Sequence, residues 1–195
     1  KTNSDYWFES EIHTLIKETT EHMENVRFKS ALQTGFFDMK RFLKKYMKKC
    51  GDKPNRDIIN SFIEIQIKIL NPFCPHITEE IWEKIGKKGF VCIEKWPEFD
   101  AKKIIEKYKK QNEIQEKLID DVNHIIALLK EKEGKEVKNV YIYVLPQEKD
   151  LFDQVEIQNL MERKVLVYTV NDKNIYDPEN KSKKTKPGKP GIFLE

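Results

Sequence analysis

The last fifteen residues contain the side chains whose chemistry is easiest to interpret. Five lysines, one to three positions apart, are followed by an apolar ending at Ile192, Phe193 and Leu194. Lysines neutralise phosphates and make affinity for a nucleic acid salt-sensitive, whereas an apolar or aromatic tip can stack on an unpaired base. The alternative to an RNA-binding segment is a solvated tail with no partner, but such tails rarely end in apolar residues. We therefore predict contacts to RNA from Lys181, Lys183, Lys184, Lys186, Lys189, Ile192 and Phe193.

Cations also line one face of a predicted helix over residues 28–50. A row of this kind is usually solubilising, although it can also follow a phosphate backbone. The six side chains of this face are Lys40, Arg41, Lys44, Lys45, Lys48 and Lys49. We take four of them, Arg41, Lys44, Lys45 and Lys48, as further candidates for contact with RNA.

Catalytic and metal-binding patterns are weak. Glu79, Glu80 and Glu83 resemble paired carboxylates, but acids near a helix start are usually solvated and complement the helix dipole. The seven glycines form no phosphate-binding loop. The three cysteines have neither disulfide nor zinc spacing, and the four histidines are scattered. We predict no catalytic residue, no metal site and no cofactor within these 195 residues.

The formal net charge of +3 is the sum of three unlike parts. Residues 1–110 have a charge of +5, residues 111–180 of −6, and residues 181–195 of +4. No apolar run approaches the length of a membrane span, and the first ten residues do not form a signal peptide. These patterns favour a cytoplasmic protein with no membrane partner. Because the chain begins with Lys, we expect it to be part of something longer.

The elements that must position these side chains change in kind along the chain. Apolar residues at helical spacing predict helices over residues 8–26 and 28–50, the second ending at Gly51. A third helix is expected to begin at Pro54 with Asp52 as its cap, and a fourth over residues 76–85, ending at Gly86. Residues 90–93 are briefly strand-like.

The second half is predicted to mix helices and strands. A helical stripe over residues 114–129 ends at Gly134, and strands are expected at residues 140–145 and 164–170 around a helix from about Asp150 to Met161. Strand, helix and strand in this length imply a parallel pair. The predicted fold class is an α-helical bundle (residues 1–110) followed by a small α/β domain (residues 111–195), α+β overall, with an extended and mobile end over residues 181–191.

One segment resembles a known family. Residues 70–86, Leu-Asn-Pro-Phe-Cys-Pro-His-Ile-Thr-Glu-Glu-Ile-Trp-Glu-Lys-Ile-Gly, are similar to the signature of the anticodon-binding helical domain of class I aminoacyl-tRNA synthetases of the leucyl, isoleucyl, valyl and methionyl group. Residues 24–37, and the ending over residues 176–181 and 186–195, resemble the archaeal and eukaryotic type of leucyl-tRNA synthetase. The resemblance extends over essentially the whole chain.

This resemblance implies a tRNA-binding region whose ATP-using catalytic domain lies elsewhere, since neither the "HIGH" nor the "KMSKS" signature occurs here. It implies leucine tRNA and the remainder of the synthetase as partners, and no DNA. Carried over by position, Lys186, Lys189, Pro190, Gly191, Ile192 and Phe193 would face the long variable arm, whereas Pro72, Phe73, Pro75, His76 and Trp82 would be structural.

Three alternatives stay open: a free-standing tRNA-binding or assembly module acting in trans, the same region of another class I synthetase, and a helical protein–protein adaptor.

Overall fold

Helices follow the apolar periodicity through the first part of the chain. The computed structural model describes residues 1–195, apart from the side chain of residue 133. Its chain divides into two compact units, residues 1–109 and 110–195. The helices of residues 1–84 are α1 (Asn3–Glu24), α2 (Phe28–Leu32), α3 (Met39–Cys50), α4 (Arg56–Leu70) and α5 (Pro75–Lys84).

The predicted helix over residues 28–50 is one helical run interrupted by a π-helical stretch at Gln33–Asp38. Gly35 lies in this stretch, where a Cβ atom would be 2.5 Å from Cγ2 of Ile69 on α4. The Thr34 and Thr19 hydroxyl groups are 2.7 Å apart and buried. The wider turn therefore lies against two neighbouring helices, at a point where a larger residue than glycine would require the Ile69 side chain to shift.

Two expectations about the first unit differ from the structure. The helix expected at Pro54 begins at Arg56, and Asn55 is its cap, because the Asn55 side chain accepts hydrogen bonds from the backbone of Asp57 and Ile58. Residues 90–93 form no strand; Val91–Ile93 is a short 3₁₀ turn instead. The core of this unit consists of Trp7, Phe8, Ile12, Leu15, Ile16, Met39, Tyr46, Ile58, Phe62 and Ile69.

The second unit contains a three-stranded sheet. Its elements are the long helix α6 (Glu106–Glu133, which begins before the unit boundary), β1 (Asn139–Val144), α7 (Gln154–Met161), β2 (Lys164–Thr169) and β3 (Gly191–Leu194). The strand order is β2-β1-β3; β1 and β2 are parallel, as expected, while β1 and β3 are antiparallel. β3 was not predicted. The fold class, a helical bundle followed by a small α/β domain, is confirmed.

The two faces of the sheet differ in composition. One face packs against α6 and α7 through the alternating apolar side chains of β1, Val140, Ile142 and Val144. On the opposite face the same strand presents Tyr141 and Tyr143, which lie beside Phe193 and Gly191 of β3 in the strand register. Among the described residues, no helix is long and apolar enough to cross a membrane.

Candidate nucleic-acid interface

The lysine-rich end begins with a folded turn. The carboxylate of Asp177 accepts hydrogen bonds from the backbone amides of Lys181 and Ser182, each at 2.8 Å. A short 3₁₀ turn, Ser182–Lys184, follows. Partial desolvation opposes ionisation of Asp177, but the hydrogen bonds from Ser182 and Lys181 lower the pKa of its carboxyl group below the ordinary value. Lys183 and Lys184 are exposed, so this turn presents their ammonium groups to solvent.

Lys186 and Lys189 lie at the base of a tight reversal of the chain. The amide of each donates to the carbonyl of the other, at 3.1 and 2.8 Å. Pro187 and Gly188 are the central residues, and the φ of +70° at Gly188 fits a type II turn, in which glycine is favoured. The Gly188 amide also donates to Glu148 at 2.7 Å. Both lysine side chains are exposed, so the reversal holds two cations close together on the surface.

The end of the chain is part of the sheet, as strand β3 over residues 191–194. Gly191 is buried, and a Cβ atom there would be 2.6 Å from the carbonyl oxygen of Lys181. Ile192 and Leu194 pack against the core of the second unit, which differs from the expectation of an apolar tip at Ile192. Phe193 lies on the opposite face, and Pro190 is half-buried immediately before the strand.

Tyrosines surround Phe193 on the outer face of the sheet. The ring centroids of Tyr141 and Tyr176 are 5.0 Å apart, and those of Tyr141 and Phe193 are 5.6 Å apart. The buried Tyr143 hydroxyl group donates to the Tyr176 carbonyl at 2.5 Å. Tyr176 is 44% exposed. Sequence reasoning missed these tyrosines; the signal was the alternation of Tyr141 and Tyr143 with the apolar residues of β1. We call Tyr141, Tyr176 and Phe193 the aromatic face.

The cations of α3 are less uniform than the sequence suggested. Arg41, Lys44 and Lys48 are exposed, and Arg41 is 3.2 Å from the carboxylate of Asp38. Lys49 is buried and Lys45 half-buried, with their ammonium groups 4.9 and 5.2 Å from the ring centroid of Trp7. The six cations therefore do not form one uniform surface, because Lys45 and Lys49 cover a core tryptophan.

Of the glutamates that resembled paired carboxylates, Glu79 has a structural role. The Glu79 carboxylate accepts hydrogen bonds from the backbone amides of Val91 and Cys92, at 2.8 and 2.9 Å. Although desolvation opposes it, these bonds lower the pKa of Glu79 below the ordinary value. Glu80 pairs with Lys84 on the surface. Among the described residues, no group of three or more His, Cys, Asp or Glu side chains could hold a metal ion.

The signature segment organises the α4–α5 connection. Asn71 donates through its side-chain amide to the buried Thr78 hydroxyl at 2.9 Å, and that hydroxyl lies 2.9 Å from the carbonyl of Pro75. Trp82 is buried against Ile67 and Val91. The segment therefore joins two helices through a packed and hydrogen-bonded turn.

The family model for the anticodon-binding domain of tRNA ligase matches residues 5–142. The chain belongs to this family. It is 32% identical over 170 residues, 87% of its length, to the leucine–tRNA ligase of Staphylothermus marinus, and 33% identical over 125 residues to that of Aeropyrum pernix. A third leucine–tRNA ligase, from Pyrococcus abyssi, is 32% identical over 146 residues. The predicted resemblance to archaeal leucyl-tRNA synthetases is confirmed.

These matches cover only part of the relatives. The chain spans 17%, 13% and 15% of the three ligases, although it is itself covered to 87%, 64% and 73%.

Proposed function

We propose that this chain is the tRNA-binding C-terminal part of a leucyl-tRNA synthetase. It binds leucine tRNA and positions it for ATP-dependent leucylation at a catalytic domain outside these 195 residues, in the cytoplasm. The observation that supports this proposal most directly is the folded basic end of the chain: Lys183, Lys184, Lys186 and Lys189 are all exposed on turns that precede β3. The similarity to archaeal leucine–tRNA ligases supports the choice of tRNA.

The turns supply what a phosphate backbone requires. Four exposed ammonium groups within seven residues, on backbone fixed by Asp177 and Glu148, form a cationic surface that loses less entropy on binding than a free tail would. Tyr176 adds an exposed ring against which an unpaired base can stack. A cationic surface beside an aromatic ring suits the loop of the long variable arm, where phosphates and unpaired bases occur together.

Point variants test this proposal better than truncation. Removing residues 189–195 would also remove β3, which pairs with β1 across four residues. We therefore propose the pair Lys186→Gln and Lys189→Gln in the full-length synthetase. Loss of two phosphate contacts is expected to weaken tRNA binding by roughly three- to ten-fold and to raise KM for tRNA accordingly. The rate of leucyl-adenylate formation, measured by pyrophosphate exchange without tRNA, should stay unchanged.

A matched control is the pair Lys117→Gln and Lys173→Gln, which removes two exposed cations from other parts of the second unit. This control should change KM for tRNA by less than two-fold. Equal loss of adenylate formation and leucylation in the Lys186/Lys189 variant would contradict a role in tRNA positioning, and so would equal effects of the two pairs.

A further inference from the structure

A second cationic site lies at the opposite end of the sheet from the Lys186–Lys189 turn. In the β1–β3 register Tyr143 pairs with Gly191, so the turn lies beyond the last residues of β1. A cavity of about 420 Å³ lies beside the first residues of β1 and β2. It is within the volume range of ligand-binding clefts. Six residues of β1 separate the two ends, a distance of about 20 Å.

The cavity is lined mainly by charged side chains from three parts of the second unit. Lys130 lies in the last turn of α6, and Lys138 immediately precedes β1. Arg163 lies between α7 and β2, and Lys164 is the first residue of β2. Lys135 also lines it, and two acids, Glu136 and Glu162, offset part of the charge. Five cations against two acids leave a local formal charge of +3 in the part of the chain whose overall charge is −6.

Helix dipoles account for only part of this cluster. A cation in the last turn of α6 is the expected complement of a helix C-terminus, which explains Lys130. Lys138 and Lys164 belong to the start of the sheet rather than to a helix end. Both lysines add positive charge to the lining of the cavity but complement no helix dipole, and both side chains are exposed. The cluster therefore exceeds what stabilising the two helices requires.

The guanidinium group of Arg163 has hydrogen-bond donors that an anion could use. One guanidinium nitrogen donates to the carbonyl oxygen of Val137 at 2.5 Å, and both residues line the cavity. Guanidinium has five N–H donors, and this contact uses one of them. A planar group with donors remaining suits the paired oxygens of a phosphate.

We propose that this cavity binds a backbone phosphate of RNA, at a site separate from the C-terminal lysines. Its two apolar lining residues, Ile126 and Val137, offer no aromatic surface for a base, so the recognised group is the phosphodiester. The proposal rests on the tRNA-binding function proposed above and adds a second point of contact about 20 Å from the first.

The test uses Lys138→Gln with Lys164→Gln in the intact protein, compared with Lys117→Gln with Lys173→Gln. Arg163 is left in place because its contact with Val137 supports the fold. RNA affinity is measured by filter binding from 50 to 300 mM KCl. The cavity pair should weaken binding by roughly three- to ten-fold and reduce the slope of log K against log salt by about 1 to 2, while the control pair leaves the slope unchanged.

The Lys186→Gln/Lys189→Gln variant separates failure of this proposal from failure of the proposed function. If that variant weakens RNA binding and the cavity pair behaves like the control, the cavity proposal is wrong and the tRNA function stands. If neither variant changes binding, both are wrong. Titration with inorganic phosphate, followed by the amide NMR shifts of Val137 and Arg163, provides a further test. If phosphate shifts these amides only when Lys138 and Lys164 are present, and the two lysines have no effect on RNA affinity, the cavity is a free-phosphate site and the RNA assignment is wrong.

Discussion

Gly191 is the residue at which the basic end of the chain meets the sheet. A Cβ atom there would be 2.6 Å from the Lys181 carbonyl oxygen and 2.9 Å from the Thr185 hydroxyl oxygen. Because one of these atoms is backbone, Gly191→Ala must displace the lysine turn or the strand. We expect a loss of about 1–3 kcal/mol in the free energy of unfolding of the second unit, measured by urea denaturation.

The control for this substitution is Asn174→Ala, at an exposed position in the same unit, which should change the free energy of unfolding by less than about 0.5 kcal/mol. A Gly191→Ala protein as stable as the control would show that residues 181–185 are not packed against β3.

Tyr143 makes the stability of the second unit depend on alkaline pH. Burial raises the pKa of its hydroxyl group, and the charge of Asp177 raises it further. A raised pKa favours the neutral phenol in the folded state, so its contribution is complete below the ordinary tyrosine pKa of about 10 and is lost as the pH rises above that value. Tyr143→Phe removes the hydrogen bond to Tyr176 and should cost about 1–2 kcal/mol at pH 8.

Above pH 10 the difference between the two proteins should shrink, because the wild-type phenol then ionises on unfolding and the variant has no such group. Urea midpoints at pH 8 and pH 10.5 measure this change. Tyr176→Phe, at an exposed ring, serves as the control at pH 8. A difference in the free energy of unfolding between wild type and Tyr143→Phe that grows above pH 10 would contradict the raised pKa of Tyr143 in the folded state.

At the scale of elements, the Glu79 side chain of α5 fixes residues 91 and 92 to this helix. Its pKa is lowered by hydrogen bonds from Val91 and Cys92, which outweigh desolvation. A lowered pKa means that the contribution to stability is present above the ordinary glutamate pKa of about 4.3 and is lost as the pH falls below it. Glu79→Gln should therefore lower the melting temperature at pH 7, with a difference that narrows towards pH 3.

Glu83→Gln is the matched control, because Glu83 is exposed one turn further along α5. It should leave the pH profile close to that of wild type. Calorimetry at pH 7, 5 and 3.5 measures both variants, and parallel profiles for wild type and Glu79→Gln would exclude the proposed anchoring.

Elements with a long apolar period could be predicted from the sequence, and those fixed by distant partners could not. The polar residues near position 111 interrupt the apolar pattern, so the start of α6 could not be predicted from it. Gln111 and Gln115 are nevertheless buried, because they donate hydrogen bonds to the carbonyls of Asp150 and Leu151. β3 was missed because its partner strand lies about 50 residues away and because proline and glycine precede it. Local patterns of residue types in the sequence do not indicate such long-range contacts.

The candidate site was predictable by composition but not by geometry. The exposed lysines were found from their spacing. That Lys45 covers Trp7, and that Ile192 packs inward, follows from tertiary contacts that helical spacing and apolar character do not distinguish from exposure.

At the scale of the whole molecule, the small net charge hides separate basic surfaces on the two units. Residues 1–110 have a charge of +5 and residues 181–195 of +4, while the acidic segment between them still forms the cationic cavity at the start of the sheet. A polyanion responds to local charge within about a Debye length, roughly 8 Å at physiological salt, so the overall balance has little influence on binding.

If both units bind the same tRNA, charge removal in one should act independently of charge removal in the other. Lys44→Gln with Lys48→Gln changes two exposed cations of α3, and Lys186→Gln with Lys189→Gln changes two in the second unit. Each pair should weaken tRNA binding by roughly three- to ten-fold, and the quadruple variant by the product, because each pair belongs to a different folded unit and is expected to contribute independently to the binding free energy. Filter binding at 150 mM KCl measures all four proteins. An unchanged affinity in the α3 pair would remove Lys44 and Lys48 from the interface.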